Sequence, residues 1–268
     1  MVDTDSIQSP QRIVSLVPSD TFNVVALGAR SRLIGRTRYC VEPPGLDEVA
    51  TVGGTKQVRV DKVLALRPDL VLANREENSR DDVLALVDAG LEVMLTFPRT
   101  VSEGLDSLVA IAHRLGVARE GKASALLRAA RTLQARLSRP VPAPGASCFV
   151  AIWKKPWMTV NDDTYVGDVL RVLGLRNVFG GLPSQGVDGR DTRYPVVELD
   201  DVIAMQPEVV LLPDEPYPFS DRHARQMSEL PIPAAKSGRI YRVSGRDLCW
   251  PGAWAIDGIG RLADSISR

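Results

Sequence analysis

Two histidines, three cysteines and 5% aromatic residues leave this chain poor in the groups that do most protein chemistry. His113 and His223 have no evident partner along the chain. No GxSxG, HExxH or phosphate-loop lysine occurs. The glycine-rich GGLPSQG at 180–186 lacks both the dinucleotide spacing and that lysine. A nucleophile needs a base beside it, so the reading is a protein that is not an enzyme. An α/β fold by itself would not exclude one. Cys40, Cys148 and Cys249 show no CxxC and no metal-ligand spacing, so inert thiols are expected and no metal set is assigned. No window holds 18 consecutive apolar residues, which excludes a membrane-spanning helix. Net charge is also lacking: 33 basic residues balance 33 acidic ones, which argues against nucleic acid or a membrane surface as partner. The start, MVDTDSIQSPQR, has Asp3 and Asp5 where an export signal would be basic, and neither an apolar core nor a lipoprotein cysteine follows. The expectation is a cytoplasmic location for the sequence as written, and a periplasmic or extracytoplasmic one if an export segment has been removed.

What is present is ordinary globular composition over 268 residues, 44% hydrophobic and 25% charged. That length suits one large domain or two lobes. A repeat favours two. Residues 61–72, DKVLALRPDLVL, match residues 200–211, DDVIAMQPEVVL, at an offset of 139. Each copy reads as a short helix with an acidic residue at its start, stopped before a proline. An acidic residue and a buried parallel strand follow. Fainter echoes pair RIVSLVPS at 12–19 with SCFVAIWKK at 147–155, and LGARSRLIG at 27–35 with LGLRNVFGG at 173–181. The predicted architecture is α/β: two similar lobes with parallel-rich sheets, at 11–100 and 145–268, joined by one long rigid helix. Residues 101–139 form the helical connector. Thr100 and Glu103 have the spacing of a capping box. The pattern from Arg119 to Leu137 contains no proline, and PVPAPGA at 140–146 is the loop that leaves it.

The stretches RIVSLVPSDTFNVVALGARSRLIGRTRYCVEPP, VGGTKQVRVDKVLALRPDLVLANREEN, GLEVMLTFPRTVSEGLDSL, TYVGDVLRVLGLRNVF and YPVVELDDVIAMQPEVVLLPDEPYPF occur in this order. Over nearly the whole chain this resembles the helical-backbone substrate-binding proteins of ABC uptake systems for cobalamin, haem and iron siderophores, the cobalamin branch most of all. The resemblance implies a protein that holds a metal chelate in a cleft between lobes and delivers it to an importer permease, and a monomer is the expectation. It implies no intrinsic cofactor, only a bound corrinoid, haem or ferric chelate. Acidic residues on each lobe would meet the permease; the matching positions are Asp61 and Asp200 or Asp201, where family members usually carry glutamate. Simple helix caps are the competing reading of all three. A cytoplasmic sensor or carrier of the same chelates, without a transporter, is the alternative function.

Ligands of α/β lobes sit beyond the carboxyl ends of the strands. Ser19 or Asp20 would either cap the helix after the first strand or leave its N–H groups to an anionic ligand group. Tyr39, stiffened by Pro43 and Pro44, is a candidate to stack on a flat macrocycle. Lys56 and the acidic loop with Glu76 and Glu77 are further candidates from the first lobe. The second lobe offers Trp157, preferred over Trp153, with Tyr165, Arg193, Tyr217, Trp250 and Trp254. Arg190 and Arg193 keep a charged siderophore open. The loop with Asp214, Glu215 and His223 reads as solvated charge or a cation site, too loose for zinc.

Overall fold

A computed structural model describes residues 8–138 and 145–267. The readings made over residues 1–7 and over 140–144 of the exit loop lie outside the described residues. The chain divides into two compact units, Met1–Phe97 with Leu105–Thr132, and Pro98–Gly104 with Leu133–Arg268.

The first unit opens with β1 (Ile13–Ser15), α1 (Pro18–Ala26), a 3-10 turn at Arg30–Arg32 and β2 (Leu33–Arg36). Next come β3 (Ala50–Thr51), the hairpin of β4 (Gly53–Gly54) and β5 (Gln57–Val58), α2 (Val60–Ala65), β6 (Leu70–Asn74), α3 (Arg80–Asp88) and β7 (Val93–Thr96). Two helices follow, α4 (Val101–Arg114) and α5 (Gly121–Leu137). The second unit continues through β8 (Ser147–Val150), α6 (Tyr165–Val172), β9 (Arg176–Asn177), α7 (Leu199–Met205), β10 (Val209–Pro213) and α8 (Asp221–Ser228). It closes with α9 (Pro233–Lys236), β11 (Ile240–Val243), α10 (Gly245–Cys249) and α11 (Ala255–Ile266).

Each unit is built on one parallel sheet. The strand orders are β3-β2-β1-β6-β7 and β11-β10-β8-β9. If β1, β2, β6 and β7 are matched to β8, β9, β10 and β11, the two orders coincide. The repeated segment supplies α2–β6 in one unit and α7–β10 in the other. β6 and β10 are buried along their whole length, as expected of central strands covered on both faces. Val14, Val71, Ala73 and Leu86 centre the first core. Phe149, Val210, Leu212 and Met227 centre the second.

The repeat keeps its backbone detail. Arg67 and Gln206 both take left-handed φ, +48° and +45°, and each precedes the proline that ends its helix. The acidic residue beyond each proline ties the sheet's neighbouring strand. Asp69 accepts the N–H groups of Gln11 and Arg12, just before β1, at 2.8 and 2.9 Å. Glu208 accepts the N–H and hydroxyl of Ser147, at the start of β8, at 2.7 and 3.0 Å. One carboxylate per unit thus satisfies the donors where that strand enters the sheet.

Four local expectations change. Asp61 does not cap α2; it lies in the first turn and pairs with Arg59 at 3.0 Å. In α7 the cap is Glu198, joined with Asp201 in a capping box, while Asp200 stays exposed in the first turn. Neither Ser19 nor Asp20 caps α1, because Pro18 begins that helix and its fixed φ does the work. At α4, Glu103 N–H donates to Thr100 Oγ1 as the box predicts, but the Glu103 carboxylate accepts from Arg99 N–H.

α4 buries Val101, Leu105, Leu108, Ile111 and Ala112 along one stripe, leaving His113 exposed. The helix expected over 119–137 starts at Gly121. Among the described residues no helix is long and apolar enough to cross a membrane.

Candidate ligand-binding site

In the second unit, the loops beyond the carboxyl ends of β10 and β11 enclose a depression of about 320 Å³ lined by Asp214, Glu215, Ser244, Arg246 and Trp254. Its shape depends on one close approach. A Cβ on Gly245 would lie 2.5 Å from the carbonyl oxygen of Glu215, so only glycine lets the two loops meet. Gly245 N–H donates to Asp214 Oδ1 at 2.7 Å, which pins them together. The Arg246 guanidinium lies 5.4 Å from the Trp250 ring, 5.7 Å from the Trp254 ring and 3.8 Å from the Glu215 carboxylate. Trp254 is oriented by its indole N–H, which donates to Asp247 at 2.7 Å. The wall therefore offers an indole, a guanidinium, a hydroxyl and two carboxylates. That set suits a large ligand with an apolar face and hydrogen-bonding edges.

A second group of side chains stands beyond β8 and β10. Trp153 meets Tyr217 edge-on at 5.5 Å, Tyr217 meets Phe219 at 4.7 Å, and Phe219 stacks on Trp157 at 5.8 Å. Trp157 is only 9% exposed, whereas Trp153 is 42% exposed. Phe219 takes one face of Trp157, and Trp153 is the more exposed ring. Trp250 and Tyr165 are also buried, with the Tyr165 hydroxyl donating to the Trp250 carbonyl at 3.4 Å. Burial holds the Tyr165 hydroxyl well above its ordinary pKa, so it stays protonated. Arg193 is buried and forks onto Asp191 at 2.6 and 3.0 Å, and Arg190 pairs with Asp188 at 3.0 Å.

In the first unit, Tyr39 is 56% exposed, with Arg38 at 5.6 Å from its ring centre. Lys56 donates to the backbone carbonyl of Glu76. Glu76 and Glu77 are half-buried, their N–H groups turned onto Asn74 Oδ1. Asp20 is buried, with Thr96 Oγ1 donating to its Oδ2 at 3.3 Å. Desolvation pushes its carboxyl up to about 6, against hydrogen bonds from Asn23 and Thr96. Burial likewise raises the thiols of Cys40 and Cys148, which are free. Among the described residues no group of three His, Cys, Asp or Glu could hold a metal ion.

The structure thus brings together Trp250 with Trp254, Trp157 with Tyr217 through Phe219, and Lys56 with Glu76. Arg246 and Ser244 are the residues that sequence reasoning missed. The SGRDL stretch carries no motif, and only the Gly245 contact reveals that it forms a wall.

Two parallel-sheet units with these strand orders share the fold of the periplasmic binding proteins. The chain belongs to the family described as periplasmic binding protein, whose profile matches residues 13–246. Its relatives are substrate-binding proteins and not enzymes. It is 25% identical over 206 residues to the vitamin B12-binding protein of Photorhabdus laumondii, covering 76% of this chain and 71% of the relative. It is 27% identical over 267 residues to the ABC transporter substrate-binding lipoprotein YvrC of Bacillus subtilis, covering 97% and 81%. Among solved structures, the periplasmic vitamin B12 binding protein BtuF of Vibrio cholerae superposes with a TM-score of 0.78 at 20% identity, covering 96% of this chain and 97% of that one. A periplasmic heme binding protein from Pseudomonas aeruginosa gives 0.74 at 25% identity, covering 96% and 92%.

Proposed function

We propose that this protein binds a metal chelate, a corrinoid such as cobalamin in preference to haem or a ferric siderophore, and delivers it to an ABC importer permease. The observation that carries this reading is the pocket beyond β10 and β11. It sets the Trp254 indole and the Arg246 guanidinium beside two carboxylates, Asp214 and Glu215. An indole wall suits a macrocycle face. The mixture of donors and acceptors suits the neutral amide rim of a corrinoid better than the several carboxylates of a haem or siderophore. Vitamin B12-binding proteins recur among the relatives aligned over most of the chain, which supports the same choice. Arg193, already forked onto Asp191, offers a charged siderophore less than its sequence position promised. In the first unit the open Tyr39 ring is the proposed aromatic contact. Asp61, Asp200 and Asp201, all exposed, are the proposed permease contacts.

Calorimetric titration with cobalamin, cobinamide, haem and ferric siderophores tests the ligand class. Binding of cobalamin at micromolar affinity or better is expected, and silence from all four ends the proposal. Delivery is tested by co-purification with the permease, which Asp61→Lys combined with Asp201→Lys should abolish.

A further inference from the structure

Three cations gather at the open end of the second unit's aromatic run. Lys154 and Lys155 form the turn after β8, beside exposed Trp153, and Arg222 lies in the first turn of α8, after the loop that leaves β10. β8 and β10 are hydrogen-bonded neighbours, so these residues share one carboxyl edge of the sheet. Lys154 Nζ donates to Gln226 Oε1 and sits 4.8 Å from the centre of the Trp157 ring, both neutral partners. Among the described residues none of the three cations has a carboxylate within ion-pair distance. The acidic groups nearby are committed elsewhere: Asp221 to Arg242 at 2.8 Å, Asp214 to Gly245 N–H, and Glu215 to Arg246. The cations repel one another enough to lower the Lys154 pKa, after desolvation. Like charges gathered without a counter-charge leave a positive field at this edge that an anion would meet.

His223 supplies an independent observation. It is 6% exposed, and its Nδ1 accepts the Ser220 N–H at 3.0 Å, which places the ring proton on Nε2. Nε2 is buried without a hydrogen-bond partner. The ring stands edge-on to Tyr217 and Phe219 at 5.6 and 5.4 Å, and burial, Lys154 and Arg222 all hold it neutral. A buried donor left unpaired within the field of Lys154 and Arg222 marks this edge as one where positive charge is not internally balanced.

We propose that Lys154, Lys155 and Arg222, on the same sheet edge as the open Trp153 ring, form a subsite for an oxyanion carried by the bound ligand. The group is a phosphodiester or a carboxylate at the rim of the chelate. The identity of its carrier rests on the function proposed above; the subsite itself does not. Lysine and arginine meet such oxygens with charge-assisted hydrogen bonds, and Trp153 would pack against the apolar part of the same group.

The test compares the wild-type protein with Lys154→Gln/Lys155→Gln/Arg222→Gln, and with Lys155→Gln alone, whose exposed side chain leaves the core untouched. Two ligand pairs are titrated: cobalamin against cobinamide, which lacks the phosphodiester, and haem against its dimethyl ester. The triple variant should weaken one oxyanion-bearing member by about 10-fold and its partner by less than about 2-fold. Lys155→Gln should act in the same direction more weakly. A change in the cobalamin pair identifies a phosphodiester; a change in the haem pair identifies a carboxylate. Equal effects on both members of each pair, or none, overturn the subsite while leaving chelate binding intact. Inorganic phosphate reads the subsite without any chelate. It should shift the His223 ring resonances saturably in the wild type and not in the triple variant. If no chelate binds, this arm decides alone, and an unchanged His223 spectrum refutes the subsite.

Discussion

Asp20 shows how far a single carboxyl departs from its sequence reading. It was expected as a cap of the helix after the first strand, yet it is buried and raised from 3.8 to about 6. The folded protein therefore holds this proton between about pH 4 and 6, where the unfolded chain has already released it. For this group stability is greatest below pH 4 and falls as pH rises through 6. Asp20→Asn removes the titration. The loss of stability between pH 5 and pH 7, measured by urea unfolding, should shrink relative to wild type; an unchanged difference would show that Asp20 is not the group responsible. At the pocket, Trp254→Ala should weaken cobalamin binding by about 10-fold, as expected for a central aromatic contact. A change under 2-fold would remove Trp254 from the site. Tryptophan content singled out the loops, but burial decided which rings are open, because Phe219 covers Trp157 and nothing in the sequence ranks one stacking partner above another.

At the scale of elements, the two copies of helix, proline and strand were legible because each step has a local cause. Apolar periodicity makes α2 and α7, a proline stops each, and unbroken apolar runs make β6 and β10. The roles of Asp69 and Glu208 were not legible, since they hold residues 57 and 61 positions away in sequence. The Ser147 N–H and hydroxyl keep the Glu208 carboxyl below its usual range, so its contribution is present above that range and lost as pH falls through the lowered value. Glu208→Ala should lower Tm at pH 7 and by less at pH 3; an equal loss at both would contradict the carboxylate clamp. Gly245→Ala tests the loop contact that shapes the pocket. A methyl at that position meets Glu215 backbone and Cγ. The loops must part, costing about 1–3 kcal/mol together with most of the chelate affinity. Normal stability and affinity would mean the loops yield freely.

Taken as a whole, the molecule repeats one sheet order in two units, and that symmetry extends from strand order to the left-handed residue before each proline. A ligand that binds only the folded chain must stabilise it. Saturation at 100 times Kd should add about 2.7 kcal/mol, seen as a rise of several degrees in Tm with cobalamin. No rise at saturation would mean that the folded state is not what the chelate recognises.

The sequence alone determined the class of fold, the doubling and the family, because hydrophobic period, proline stops and repeated order act locally and survive without knowledge of contacts. Which tryptophan is open, which carboxylate clamps a strand, and that Ser244 and Arg246 share a wall with Asp214 were decided only by tertiary structure. Parallel strands bring together loops that lie far apart along the chain, and a side chain's exposure depends on neighbours that no local pattern names.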